Sequence, residues 1–293
     1  MTTVGIIGIN GIVGQTMRKC LLKVKNIEIK EFTRQDPLTD LDIAILCTDN
    51  ADSVKLVEQL KDKAKFIIDM SSEFRQKPGV PLVIPEINPH AITKDTSLIA
   101  SPNCTTTGLV MALNALKKNY TLLEAFFCSY QAISGGGKKL LEEYQTPGSK
   151  YQENCVPQVG TIQTNGMTSE EMKAINETRK ILELPNIKVR PHTVRVPVET
   201  GHSLGVTIRA KEDFDLPKVE ALLRAQLGLI YDGGIYTPKQ IAGTDPVYVS
   251  RLRIDPEDKN ILHIWITFDN LLKGAALNGR QIAEYLLENY LND

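Results

Sequence analysis

Two α/β units are expected from this 293-residue chain: an N-terminal doubly wound parallel sheet, then an α+β domain, with a C-terminal helix returning to the first. Three observations predict this. Gly8, Gly11 and Gly14 follow the first apolar run as G-x-x-G-x-x-G, a spacing variant of the dinucleotide fingerprint. Short apolar runs alternate with helix-like segments through the first third, the mark of a parallel sheet covered on both faces. Beyond residue 118 the texture changes to alternating stretches with one polar face. The first unit is therefore expected to be Rossmann-like.

Taken in order, "TVGIIGINGIVGQTMRKCLLK" reads as a buried strand, a glycine turn and a helix whose apolar residues Ile12, Val13, Met17, Cys20 and Leu21 fall at helical spacing. "IEIKEFTRQ" is the next strand. "DIAILC" (42–47) and "KFIIDM" (65–70), separated by the helical "NADSVKLVEQLKDK", repeat the unit. "SLIA" ends the first unit, and a helix is expected from Thr107 to Lys118. "EAFFCSYQAIS", "VRVPVETGHSLGVTIRA", "PVYVSRLRI" and "ILHIWITFD" alternate as antiparallel strands do. Between the first two lies a polar, glycine-bearing surface excursion, "YQTPGSKYQENCVPQVGTIQTNGMTSEE". "KGAALNGRQIAEYLLENYL" is an amphipathic helix.

With 34 basic against 35 acidic residues, the chain lacks the positive excess that nucleic acid or an anionic membrane requires. No apolar run reaches the roughly 18 residues of a membrane span, and "MTTVGIIGINGIVG" has no charged leader, so a cytoplasmic protein is expected. Five unevenly spaced cysteines without a C-x-x-C pair argue against a disulfide framework and a structural zinc site; no metal is expected.

Chemistry concentrates at "SPNCTTTG". Cys20, Cys47, Cys128 and Cys155 lie in or beside hydrophobic segments, whereas Cys104 sits in a small polar run just ahead of a helix, whose N-terminus lowers a thiol pKa. A thiolate nucleophile needs a proton-transfer partner, and four histidines compete for the role. His90 lies in a loop, His192 in "RPHT", and His263 in an apolar strand that suits a satisfied core imidazole. His202, in the glycine-flanked turn "VETGHSLG", is expected to present its ring to a cleft. Arg195 is a lone cation on an otherwise apolar alternation. At the end of the second strand, Thr33 and Arg34 stand where an NAD site places an acid, which favours the 2′-phosphate of NADP; Glu31 nearby keeps a ribose contact open.

"GINGIVGQ", "IIDMSSEFRQKPGVPLVIPEIN", "SPNCTTTG", "SYQAISGGG", "EEMKAINETRKIL", "VRVPVETGHS" and "FDNLLKGAALNGRQIAEYL", in this order, resemble the aspartate-semialdehyde dehydrogenase family over nearly the whole chain. The resemblance implies a homodimer whose subunits use NADPH to reduce L-aspartyl 4-phosphate to the semialdehyde with release of phosphate, on the route to lysine, methionine and threonine. It implies an NADP-binding domain over residues 1–103 and 275–293 and a catalytic and dimerisation domain over 104–274. The family's nucleophile falls on Cys104 and its acid/base histidine on His202. Gln131 and Asn103 would orient substrate, Arg195 would hold the substrate carboxylate and Glu170 its amine, while Arg75 and Lys173 would bind phosphate. Cofactor contacts are implied for Gly8, Asn10, Gly11, Ile12, Val13, Gly14, Thr33, Arg34, Ser134, Gly135, Pro157 and Asn270.

These types suit an acyl phosphate, because its two anionic groups call for arginine and lysine clamps. Without the resemblance, Arg75, Glu170 and Lys173 read as ordinary surface charges rather than as ligands. The stretch before "DLDIAILC" is shorter than in the family, which bears on the adenosine pocket. "LCTDN" and "SGGGKKLLEEY" are more similar to N-acetyl-gamma-glutamyl-phosphate reductase, the alternative reading. "CTTT" also resembles a run in glyceraldehyde-3-phosphate dehydrogenase, but little else follows that pattern. A non-catalytic dinucleotide-binding homologue would be favoured by loss of Cys104 or His202, and both are present.

Overall fold

Alternation of buried strand and amphipathic helix begins at once in the computed structural model, which describes residues 1–291. The first elements are β1 (Thr2–Ile7), α1 (Ile12–Leu21), β2 (Ile27–Phe32), β3 (Leu41–Leu46), α2 (Asn50–Leu60), β4 (Ala64–Asp69) and β5 (Leu98–Ala100). Every pairing among the five strands is parallel, in the order β2-β1-β3-β4-β5. Val4, Ile6, Ile7, Ile43, Ile45 and Ile68 are fully buried, as expected of strands covered on both faces. In this order the chain reverses direction across the sheet between β1 and β3. That switch point opens a crevice at the carboxyl ends of the strands, the place where such sheets take ligands.

Residues from Cys104 to Gly274 form a second compact unit. It contains α3 (Cys104–Lys117), β6 (Leu122–Gln131), α4 (Gly137–Gln145), α5 (Ser169–Leu182), β7 (Lys188–Arg195) and β8 (His202–Ala210). There follow α6 (Leu216–Ala225), β9 (Leu229–Ile230), α7 (Pro238–Ile241), β10 (Val247–Ile254) and β11 (Ile261–Phe268). The sheet runs β7-β6-β8-β11-β10-β9 and is mixed: β6–β7 and β9–β10 are parallel, the inner pairs antiparallel. The period-two alternation predicts antiparallel neighbours throughout and is corrected at both edges. Alternation reports a half-buried face and is blind to strand direction. Direction is set by the connection, and between β6 and β7 the chain runs through α4, the polar excursion and α5, enough to bring it back parallel.

Helix α3 starts at Cys104, three residues before the Thr107 predicted from sequence. Thr105, Thr106 and Thr107 are β-branched and poor helix formers, but all three are buried in this unit, so packing overrides propensity. The helix packs against α5, α6 and β11. Gly108 makes the close approach possible, since a Cβ there would lie 2.2 Å from Cε1 of Phe268. Gly108→Ala is expected to cost about 1–3 kcal/mol through overpacking, seen as a lower midpoint in chemical denaturation with an unchanged slope.

From Ala275 the chain belongs to the first unit again. Between π-type turns at Leu272–Ala276 and Leu287–Leu291, α8 (Leu277–Leu286) packs on α1 and β4. Asn278 is buried and donates to the Val83 carbonyl and the Ser101 hydroxyl, both at 3.0 Å. Among the described residues no helix is long and apolar enough to cross a membrane, and no disulfide joins the five cysteines.

Candidate active site

Strand register brings the chemistry of the second unit to one end of its sheet. Gln131 at the end of β6 is opposite Arg195 at the end of β7, while His202 at the start of β8 is opposite Phe268 at the end of β11. The four residues thus share one terminal row. Gly274 closes upon the first residue of α3: a Cβ on it would lie 2.7 Å from Cβ of Cys104.

The Cys104 Sγ is 3.3 Å from His202 Nε2. The Ala132 N–H donates to His202 Nδ1 at 3.0 Å. With Nδ1 an acceptor, a neutral ring carries its proton on Nε2, facing the sulfur. An imidazolium would set a second N–H against that of Ala132. Burial, and then the Arg195 charge, hold the His202 pKa well below the ordinary histidine value, in keeping with a neutral ring. Sequence reasoning expects this imidazole in an open cleft; the structure buries it completely, with Phe268 edge-on at 5.8 Å. His202 falls on the same face of β8 as the buried Leu204, Val206 and Ile208, and the turn before it is pinned by the Gly201 N–H donating to Asn270 Oδ1 at 2.8 Å.

Arg195 is nearly buried and donates through Nη1 to the Ala132 carbonyl at 2.6 Å. Burial lowers its pKa, while attraction to Cys104, Glu170 and Tyr151 opposes that. Gly135 fits between Arg195 and His202: a Cβ would be 3.0 Å from Arg195 Nη1 and 3.1 Å from His202 Cε1. Glu170, in the first turn of α5, is also nearly buried, with Lys173 Nζ 3.5 Å away. A capping box between Thr168 and Glu171 opens that helix. Glu171 also accepts the Thr193 N–H at 3.1 Å, so the cap fastens α5 to β7 two residues from Arg195. Gln131 is buried and donates to Ser129 Oγ at 3.2 Å. Ser134 and Asn270 are bonded to each other, Nδ2 to Oγ at 3.0 Å. Pro157 is exposed, next to Val156, whose backbone exchanges hydrogen bonds with Arg195 at 2.8 and 2.9 Å.

In the first unit a crevice of about 510 Å³ lies at the switch point, lined by Gly8, Asn10, Gly11, Thr33, Arg34, Gln35 and Cys47. Gly8 has φ +90°, and a Cβ on it would be 2.7 Å from the Cys47 carbonyl. A Cβ on Gly14 would be 2.4 Å from the Gly8 oxygen. The turn therefore tolerates no side chain at either place, and α1 begins directly beside the crevice, Ile12 and Val13 being its first residues. Backbone N–H groups at such a helix start suit a pyrophosphate, so the residues fit a dinucleotide. Glu31, left open by the sequence as a ribose ligand, is paired with Arg18 of α1. Arg75 and Asn103 also belong to this unit, both nearly buried, and Arg75 donates to the carbonyls of Ser101 and Met70 at 2.8 and 3.0 Å.

Sequence reasoning passed over Gln35 and Cys47 in the crevice lining and three acids around Arg34. Asp36 accepts the Thr33 N–H at 2.6 Å, and Asp49 and Asp52 pair with Arg34 at 3.1 and 2.8 Å. Asp49 is the N-cap of α2. Among the described residues no group of His, Cys, Asp or Glu side chains converges to hold a metal ion.

Two family profiles match the chain: "Semialdehyde dehydrogenase, NAD binding domain" over residues 21–95 and "Semialdehyde dehydrogenase, dimerisation domain" over 113–273. Aspartate-semialdehyde dehydrogenase of Bacillus subtilis is 32% identical, covering 97% of this chain and 96% of its own. That of Streptomyces akiyoshiensis is 36% identical, covering 96% of this chain and 97% of its own. The crystal structure of aspartate semialdehyde dehydrogenase II from Vibrio cholerae, complexed with ASA, superposes with a TM-score of 0.91 at 30% identity, covering 99% of each chain.

Proposed function

The chain belongs to the aspartate-semialdehyde dehydrogenase family, and on that premise we propose that it catalyses the reversible, NADPH-dependent reduction of L-aspartyl 4-phosphate to L-aspartate 4-semialdehyde. The observation that carries the reading is the Cys104–His202 contact at 3.3 Å, with His202 in the row that also holds Arg195 and Gln131. The Cys104 thiolate, at the start of α3 and electrostatically favoured by Arg195, attacks the acyl carbon. The S–C bond forms as the C–O bond to phosphate breaks, and phosphate leaves with the electron pair. When bound, the nicotinamide supplies the hydride that takes the thioester to the aldehyde level. His202 is the acid/base partner. Its Nε2–H stabilises the oxygen charge of the tetrahedral adduct, and for the ring to relay a proton Nδ1 must release the Ala132 N–H.

Arg195 holds the substrate carboxylate, Gln131 and Asn103 orient the acyl group, and Lys173 and Arg75 receive the phosphate. The glycine turn Gly8–Gly14, with Asn10, Ile12 and Val13, takes the pyrophosphate side of the cofactor, and Thr33 and Arg34 its 2′-phosphate. Ser134, Gly135, Pro157 and Asn270 complete the cofactor contacts from the second unit. That unit is the catalytic domain and carries the homodimer contact; the first is the NADP-binding domain. A cytoplasmic location agrees with five cysteines that form no disulfide.

Glu170 sets the substrate class. A nearly buried carboxylate gains a charge-assisted hydrogen bond from a free α-ammonium but meets only a neutral amide on an N-acetylated glutamyl phosphate. A hydrogen bond to a charged group is worth about 1.5–3 kcal/mol, so the aspartate substrate should win by at least about tenfold on this contact. Initial rates in the oxidative direction, with phosphate and either aspartate semialdehyde or N-acetylglutamate semialdehyde, test it in the wild type and in Glu170→Gln. The preference should hold in the first and shrink in the second. A preference for the acetylated aldehyde would overturn the assignment.

A further inference from the structure

Arg34 is the group expected to select NADP, yet the fold does not leave it to a phosphate. Its guanidinium is paired with Asp49 at 3.1 Å and Asp52 at 2.8 Å, both at the start of α2. Asp49 is fixed there by its own work as the N-cap, accepting the Asp52 N–H at 3.0 Å. A second donor beside the crevice, the Thr33 N–H, is taken by the Asp36 carboxylate at 2.6 Å. Thr33 Oγ1 in turn accepts the Gln35 N–H at 3.3 Å, so the tight turn after β2 is built around that acid. Three carboxylates thus hold the positions from which Thr33 and Arg34 would bind a 2′-phosphate.

We infer that Asp36, Asp49 and Asp52 determine cofactor specificity, and that they reduce the discrimination against NAD so that this pocket works with both dinucleotides. The inference rests on the reading of the crevice as the dinucleotide site. Charge decides the direction. A 2′-phosphate of nearly two negative charges must displace or approach these carboxylates, whereas a 2′-hydroxyl is neutral and can donate to them. The pairs are exposed and exchange partners at little cost, so NADP is still accepted through Arg34. Repulsion from a carboxylate a few ångströms away, in a solvent-like medium, amounts to about a tenfold change in affinity per charge removed.

Binding of NADPH and NADH is read by titrating the fluorescence of the reduced nicotinamide, with catalytic efficiency for both cofactors measured alongside. The wild type should bind the two within about tenfold of each other. Asp52→Asn and Asp36→Asn should each raise the NADPH-to-NADH affinity ratio by about tenfold, mainly by tightening NADPH, and Arg34→Ala should lower it. A wild-type preference for NADPH beyond about a thousandfold, or a ratio unmoved in both Asp variants while thermal melts show them folded, would overturn the inference. Failure of the proposed reaction would look different: no turnover of aspartate semialdehyde with either cofactor, while the binding ratios still report on the acids.

Discussion

Cys104→Ala is expected to abolish turnover to background while leaving the binding of reduced cofactor intact. The expectation follows from which unit holds which chemistry. The sulfur is the atom that must bond to the acyl carbon, and a methyl group offers neither a nucleophile nor a leaving group. The proposed cofactor contacts lie largely in the glycine turn and crevice of the first unit, to which the Cys104 side chain does not contribute a lining atom. The measurement is a pair: steady-state rate and nicotinamide fluorescence on the same preparation. Measurable turnover in the alanine variant would remove the thiol from the mechanism. Cys47 does not rescue it, because burial and the neighbouring Asp69 push its thiol up to about 12.

Loss of the His202 imidazole should cost on the order of 10² to 10⁴ in kcat. His202→Ala removes the N–H that faces Sγ and leaves the Ala132 N–H without its acceptor. His202→Gln separates two roles. It restores a neutral donor but no ring that can relay a proton, so partial recovery reports stabilisation of the oxyanion and none reports proton transfer. pH adds a second readout. Because burial and Arg195 lower this pKa in the folded state, the ring stays neutral below the ordinary histidine range, and the acid limb of kcat/KM should fall below it. For stability, the unfolded chain takes up a proton near its ordinary value of about 6.5 while the folded one does not. The contribution is therefore full above that pH and is lost as pH falls through it toward the folded value. The His202→Ala variant should lack that loss. A wild-type acid limb at the ordinary histidine value would contradict the neutral, buried ring.

What could be read from sequence was local, and what could not was long-range. The βα rhythm of the first hundred residues is a matter of burial and period, so β3 and β4 emerge within a residue of their predicted bounds. Cys104 stands out because small polar residues surround it, and Arg195 because apolar ones do. The start of α3 at Cys104 was not legible, since three threonines oppose a helix until burial pays for them. Nor was the contact that pins the turn before His202, in which the Gly201 N–H donates to Asn270, a residue far along the chain. The acids at Arg34 were hidden for the same reason: Asp49 and Asp52 lie at the start of α2, and only the order β2-β1-β3 sets that start beside the end of β2.

The proposal as a whole turns on a covalent bond to one sulfur. Peptide-level mass spectrometry of enzyme quenched after mixing with aspartyl phosphate, with no nicotinamide present, reads that bond directly. The account predicts one aspartyl group on the peptide that contains Cys104, phosphate released in equal amount, and no label in Cys104→Ala. An aspartyl group on Cys155, the exposed cysteine, or phosphate release without any acylated cysteine, would contradict it.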